Sequence, residues 1–160
     1  PTAQEAREVF EVRRLIEPTL VERFITRATA ADMATLARCI SDEEAARAAG
    51  DMRRAIRLAG DFHLHIADVA GHDTLGRILR ELTSRTSLVL MAYSSAHAHE
   101  RMEATACGCR EHRALIDAIR LRDAREAARL MLKHLARIET QLEFTPPAAD
   151  TPDLAQLLGA

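Results

Sequence analysis

No tryptophan, one tyrosine and four phenylalanines leave this 160-residue chain few rings to stack on bases or sugars. Its three cysteines are an odd number, and Cys107 and Cys109 stand one residue apart, so a disulfide framework is not expected and a reducing compartment fits better. Long hydrophobic runs are also missing: the apolar stretches are short and broken by Arg or Glu, so nothing should span a bilayer. The opening PTAQEAREVF lacks the apolar segment of a signal peptide, and a cytoplasmic location is the expectation. Neither sign of charge dominates, with 22 Lys and Arg against 24 Asp and Glu for a formal net charge of −2, so this chain alone sets up no field that gathers nucleic acid or anionic lipid. The preference for arginine over lysine, of which Lys133 is the single example, does not mark a phosphate-binding face, because acids are interspersed throughout. A glycine-rich phosphate loop and a GxSxG nucleophile elbow are absent as well. What is present is 48% hydrophobic and 29% charged residues, a balance that folds, at a length that suits one domain. Seven histidines are the unusual component.

Helical periodicity predicts an all-α bundle of about six helices. The first opens on the capping box Thr2-Ala3-Gln4-Glu5, carries Val9, Val12, Ile16, Leu20 and Phe24 on one face, and should kink at Pro18. Thr29 and Asp32 start a second that runs to about Ala49, where Gly50 ends it. Asp51 caps a third that reaches Ala70 and stops at Gly71, and Asp73 caps a long fourth that reads as the buried centre. Residues 94–108 lose periodicity and read as a loop. A fifth helix is expected from about Arg110 to Leu121, and a sixth from the Asp123 cap to about Phe144. This divides the chain into a domain over 1–145 and a linker with a short amphipathic tail over 146–160.

Three of the histidines stand on apolar faces. His112 shares a face with Leu115, Ile116 and Ile119; His134 lies at the edge of the stripe of Ala127, Leu130, Met131, Leu135 and Ile138. On the third helix His63 and His65 flank the stripe of Ile56, Ala59, Phe62, Ile66 and Val69, with the periodicity leaning toward His63. His72, His97 and His99 read as solvated. One inward histidine is ordinarily a core residue with a satisfied hydrogen bond. Three of them in one apolar interior need acceptors that a core supplies poorly, and a divalent ion taking one nitrogen from each removes the difficulty. Neutral imidazole suits zinc, nickel, copper or iron, and three ligands leave a position open. Cys107-Gly108-Cys109 with His112 forms a CxCxxH cluster, a weak signal for a metal or redox site.

These elements resemble the ligand-sensing C-terminal domain, the FCD domain, of GntR-type transcription regulators of the FadR subgroup. The likeness rests on Glu11-Val12-Arg13-Arg14-Leu15-Ile16-Glu17-Pro18, on Asp61-Phe62-His63 with Ile66-Ala67 and Ala70-Gly71, and on Glu111-His112-Arg113-Ala114-Leu115 and Met131-Leu132-Lys133-His134-Leu135 in that order. It implies an antiparallel all-α bundle and a divalent metal, zinc, nickel or similar, held by His63, His112 and His134. The family usually adds an Asp one helical turn before the first histidine, where this chain has Ala59; Asp61 lies two residues away and points to another face. The resemblance further implies a homodimer, a small carboxylate effector, and DNA contact only through an N-terminal winged helix-turn-helix, which this chain does not contain. Arg13 is either half of an exposed i, i+4 ion pair with Glu17 or, as similar arginines do in the family, a grip on the effector carboxylate. Arg85 on the fourth helix is a candidate for the same role, and Tyr93 either offers its hydroxyl or packs. Rival readings are a three-histidine hydrolase, whose metal-bound water would attack substrate, and a helical adapter without metal.

Overall fold

The structure is a computed structural model that describes residues 2–93 and 102–142. Six helices account for it: α1 (Ala3–Arg27), α2 (Ala30–Ala48), α3 (Met52–Ala70), α4 (Asp73–Tyr93), α5 (Met102–Arg120) and α6 (Ala124–Thr140). Capping boxes start α1 at Thr2 with Glu5 and α2 at Thr29 with Asp32, while Asp51 and Asp123 cap α3 and α6. Gly71, at φ 62°, ends α3 in the left-handed conformation that glycine adopts without a steric cost. α1 continues as one helix through Pro18.

α1 and α3 are the central elements: α3 packs on α1, α2 and α4, α1 packs also on α4, α5 and α6, and α5 bridges α2 and α6. Short turns reverse the chain between the packed neighbours α2 and α3, α3 and α4, and α5 and α6, which makes them antiparallel. The core joins Phe10, Phe24 and Phe62 with Leu20, Leu36, Ile40, Ile66, Leu79, Leu115, Met131 and Leu135, all almost completely buried.

Four expectations change. α4 is not the buried centre, since it packs on α1 and α3 at the edge of the bundle and leaves Ile78, Leu88 and Met91 exposed. Leu79, Thr83, Thr86 and Val89 form its inner stripe, so its many leucines are split between two faces. α5 begins at Met102, eight residues before the predicted start, because Met, Glu and Ala favour helix even where no apolar repeat announces it. α4 starts one residue earlier than an Asp73 cap implies, at Asp73 itself, with His72 Nδ1 accepting from the Leu75 amide at 3.4 Å and the His72 carbonyl accepting from Gly76. The inner face of α1 is rotated: Phe10, Arg13, Glu17, Leu20, Val21 and Phe24 are buried, whereas Val12 and Ile16 are only half-buried. Seating the Phe10 ring carries Arg13 and Glu17 inside with it. The tail over 146–160, the sixth helix beyond residue 142, and His97 and His99 lie outside the described residues.

Candidate metal centre

Histidines from three helices meet in the interior. α3 supplies His63, α5 His112 and α6 His134, each at most 3% exposed. His112 Nε2 stands 3.3 Å from His63 Nε2 and 3.1 Å from His134 Nε2, and one ring nitrogen from each residue lies within 4.8 Å of the others. Phe62 stacks on His112 with centroids 4.2 Å apart, closing one side of that imidazole with an apolar ring.

The other ring nitrogens point outward, each to a glutamate. Glu17 Oε2 lies 2.6 Å from His63 Nδ1, Glu111 Oε2 lies 2.7 Å from His134 Nδ1, and Glu43 Oε2 lies 3.5 Å from His112 Nδ1, just beyond a formed hydrogen bond. Each glutamate uses its second oxygen for an arginine. Arg13 Nε reaches Glu17 Oε1 at 2.6 Å, Arg47 Nη2 reaches Glu43 Oε1 at 2.6 Å, and Arg137 Nε reaches Glu111 Oε1 at 2.5 Å.

Charge follows from these contacts. Burial works to raise the Glu17 carboxyl, but the Arg13 guanidinium and His63 hold it at about 2. Glu43 is likewise held at about 2 by His112 and Arg47 against the effect of burial, and Glu111 is lowered by its hydrogen bonds to His134 and Arg137. Burial pushes His63 down to about 4 despite the pull of Glu17, and burial together with the neighbouring His112 pushes His134 down to about 3. At neutral pH ionised glutamates therefore face neutral His63 and His134, whose single protons sit on Nδ1 and donate to Glu17 and Glu111. Their Nε2 lone pairs then point at His112 Nε2. One proton on His112 Nε2 would satisfy only one of the two contacts, whereas a cation satisfies all three nitrogens.

The donor set fits a divalent transition ion. Zinc–nitrogen bonds of ~2.0–2.1 Å at tetrahedral angles separate two ligand nitrogens by about 3.3 Å, close to the two spacings here. Cys109 is not part of the set: it is buried, and burial together with the Glu43 carboxylate pushes its thiol up to about 11. The Cys107 side chain lies outside the described residues.

Sequence-wide comparison with known families matches residues 8–137 to the FCD domain. The chain belongs to the FCD domain family. Curated proteins give no match. Among solved structures, this FCD domain is similar to Streptococcus agalactiae GntR, with 24% identity and a TM-score of 0.71 over 84% of this chain and 58% of that one. It is also similar to E. coli McbR/YncC, with 20% identity and a TM-score of 0.74 over 86% of this chain and 69% of that one. Identities this low carry the fold alone, and the chain spans 58% of the length of the streptococcal protein.

The FCD domain brings Arg13 to the histidines but not Arg85. Arg13 is 2% exposed, one carboxylate away from His63; its Nη1 reaches Thr86 Oγ1 at 3.3 Å, and its Nη2 is buried without a hydrogen-bond partner. Arg85 is exposed and pairs with Glu81 at 2.8 Å, because α4 is peripheral and this residue falls on its outer face. There it lines a shallow cavity of 380 Å³ with Glu5, Val9, Leu88 and Val89. Tyr93 ends α4, and its side chain lies outside the described residues. Glu43, Glu111, Arg47 and Arg137 were not anticipated. For Glu43 a signal exists, since it continues the spacing of Leu36 and Ile40 on the buried stripe of α2. Glu111 and Arg137 carry no comparable signal, because they meet only when α5 packs on α6.

Proposed function

We propose that this FCD domain is the effector-binding domain of a FadR-subgroup GntR-type transcription regulator, holding a divalent transition metal through His63, His112 and His134. The convergence of three Nε2 atoms, two of them on imidazoles whose Nδ1 protons are committed to glutamates, carries this reading. The ion would supply a Lewis-acidic positive charge with an open position in a low-dielectric interior, a natural anchor for a small organic acid. Arg13 would hold that acid at another point, a role supported by its unpartnered Nη2, since a buried charged donor is costly without an acceptor. Glu17, Glu43 and Glu111 are each tied to a histidine and an arginine, so none of them serves as the free general base that a hydrolase requires, which supports a sensor over an enzyme.

In the whole regulator the domain would act as a cytoplasmic homodimer and reach DNA through an N-terminal winged helix-turn-helix. No helix among the described residues is long and apolar enough to cross a membrane. Effector binding would favour one arrangement of the bundle and release the operator, with a coupling no larger than the effector's differential affinity for the two arrangements. The test is to purify the chain without an affinity tag, measure metal per chain, and follow thermal unfolding against mono-, di- and tricarboxylates, with His112→Ala and His134→Ala alongside. Bound metal and a carboxylate-dependent rise that both variants lose are expected. Protein free of metal, or variants that respond like the parent, would overturn the proposal.

A further inference from the structure

The same three-residue chain occurs three times around the histidines, built from different helices each time. Arg13 and Glu17 of α1 serve His63 of α3; Glu43 and Arg47 of α2 serve His112 of α5; Glu111 of α5 and Arg137 of α6 serve His134 of α6. In every case the arginine takes one carboxylate oxygen and the imidazole faces the other. In every case the imidazole nitrogen on the glutamate side is Nδ1, so Nε2 is the one left to the centre. Glutamates that merely satisfied buried imidazoles would have no reason to choose the same nitrogen three times. The arginine has its own part: it fixes the carboxylate rotamer and cancels its charge, so each chain is neutral as a unit and adds no net charge to the centre.

From this repetition we infer that Glu17, Glu43 and Glu111, each clamped by Arg13, Arg47 and Arg137 respectively, are positioning residues that set the metal affinity of the centre by fixing the Nδ1–H form and ring orientation of its three ligands. The inference rests on the reading of His63, His112 and His134 as ligands. Removing partners of this kind commonly weakens metal binding about 10–100-fold. Glu111 and Arg137 are the best place to test it, because their side chains are 17% and 21% exposed and a change there disturbs the core least.

The experiment uses the 160-residue chain with Glu111→Ala, Glu111→Gln and Arg137→Met, zinc as the probe, and competition with a chromophoric chelator as the affinity readout. Two-bond proton–nitrogen correlation spectra of the metal-free proteins report which nitrogen of His134 carries the proton, a signature that a purely structural role would leave unchanged. The parent should show His134 protonated on Nδ1. Glu111→Ala should mix the two forms and weaken zinc binding about 10–100-fold. Glu111→Gln, which keeps an acceptor, should restore the Nδ1–H form and part of the affinity, and Arg137→Met should weaken zinc binding less than Glu111→Ala does. Zinc binding equal to the parent's in Glu111→Ala and Arg137→Met, or a parent His134 protonated on Nε2, would overturn the inference while leaving the metal centre in place. A parent that binds no zinc would remove both.

Discussion

At the scale of single residues, the centre depends on charges that are buried only because each has a partner. Glu17 is the clearest case, since it is 1% exposed and holds both Arg13 and His63. Glu17→Ala would strand a guanidinium in the core and is expected to cost about 3–5 kcal/mol, measured as the loss of unfolding free energy in urea. Glu17→Gln keeps an acceptor and should cost less. A Glu17→Ala protein within about 1 kcal/mol of the parent would mean that water or a rearranged partner already serves Arg13. Whether Arg13 and Glu17 lie inside or outside is also where the sequence divides: their four-residue spacing is compatible with a solvent-exposed pair, and only the seating of Phe10 and Phe24 selects the buried alternative.

At the scale of helices, the approach of α4 to α3 is set by one glycine. A Cβ placed on Gly60 would meet Thr83 Cγ2 at 2.7 Å, closer than carbon atoms pack. Gly60→Ala gains ~1 kcal/mol of helix propensity, which the contact should outweigh, since overpacking costs ~1–3 kcal/mol. The two effects are separable in a double-mutant cycle. Thr83→Ser removes the offending methyl, so Gly60→Ala should be less harmful, or stabilising, in that background, with an interaction free energy of about 1 kcal/mol or more. Additive effects would show that α4 moves away freely. The composition of α4 points to a buried centre, and its packing does not follow. Its leucines, with Ile78, Val89 and Met91, are dense enough to suggest burial all round, yet among the described residues the helix packs on α1 and α3 alone, and its inner stripe includes Thr83 and Thr86. The same density suggests a buried Arg85, which instead lies on the outer face paired with Glu81. The caps of α1, α2, α3 and α6 were legible because capping is local chemistry within four residues.

For the whole molecule, folding, protonation and metal binding are linked through the same buried groups. In the metal-free protein His63 and His134 are held at about 4 and about 3, below the ordinary 6.5, so the unfolded chain takes up protons first as the pH falls. Their contribution to stability is complete above about 6.5 and is lost as the pH drops toward those lower values. Glu17 and Glu43, held at about 2, lose theirs between about 4.5 and 2, in the same direction. The urea midpoint of the metal-free domain should therefore fall from pH 7 to pH 5; a midpoint that rose would contradict neutral buried histidines. Zinc that binds only the folded form at a thousandfold excess over its dissociation constant should add about 4 kcal/mol at pH 7, and excess chelator should remove it. An unfolding temperature indifferent to both additions would count against the centre. The all-α class, most helix boundaries and the inward faces of His112 and His134 are legible in the residues alone, because periodicity and capping are written within a few neighbouring positions, while the choice of His63 over His65 needed the family resemblance. Helix packing alone sets Glu43 and Glu111 behind His112 and His134, puts Arg13 inside and Arg85 outside, and makes α1 and α3 rather than α4 central. Those relations join residues as far as 69 positions apart, and a partner's identity at that separation depends on how whole helices pack.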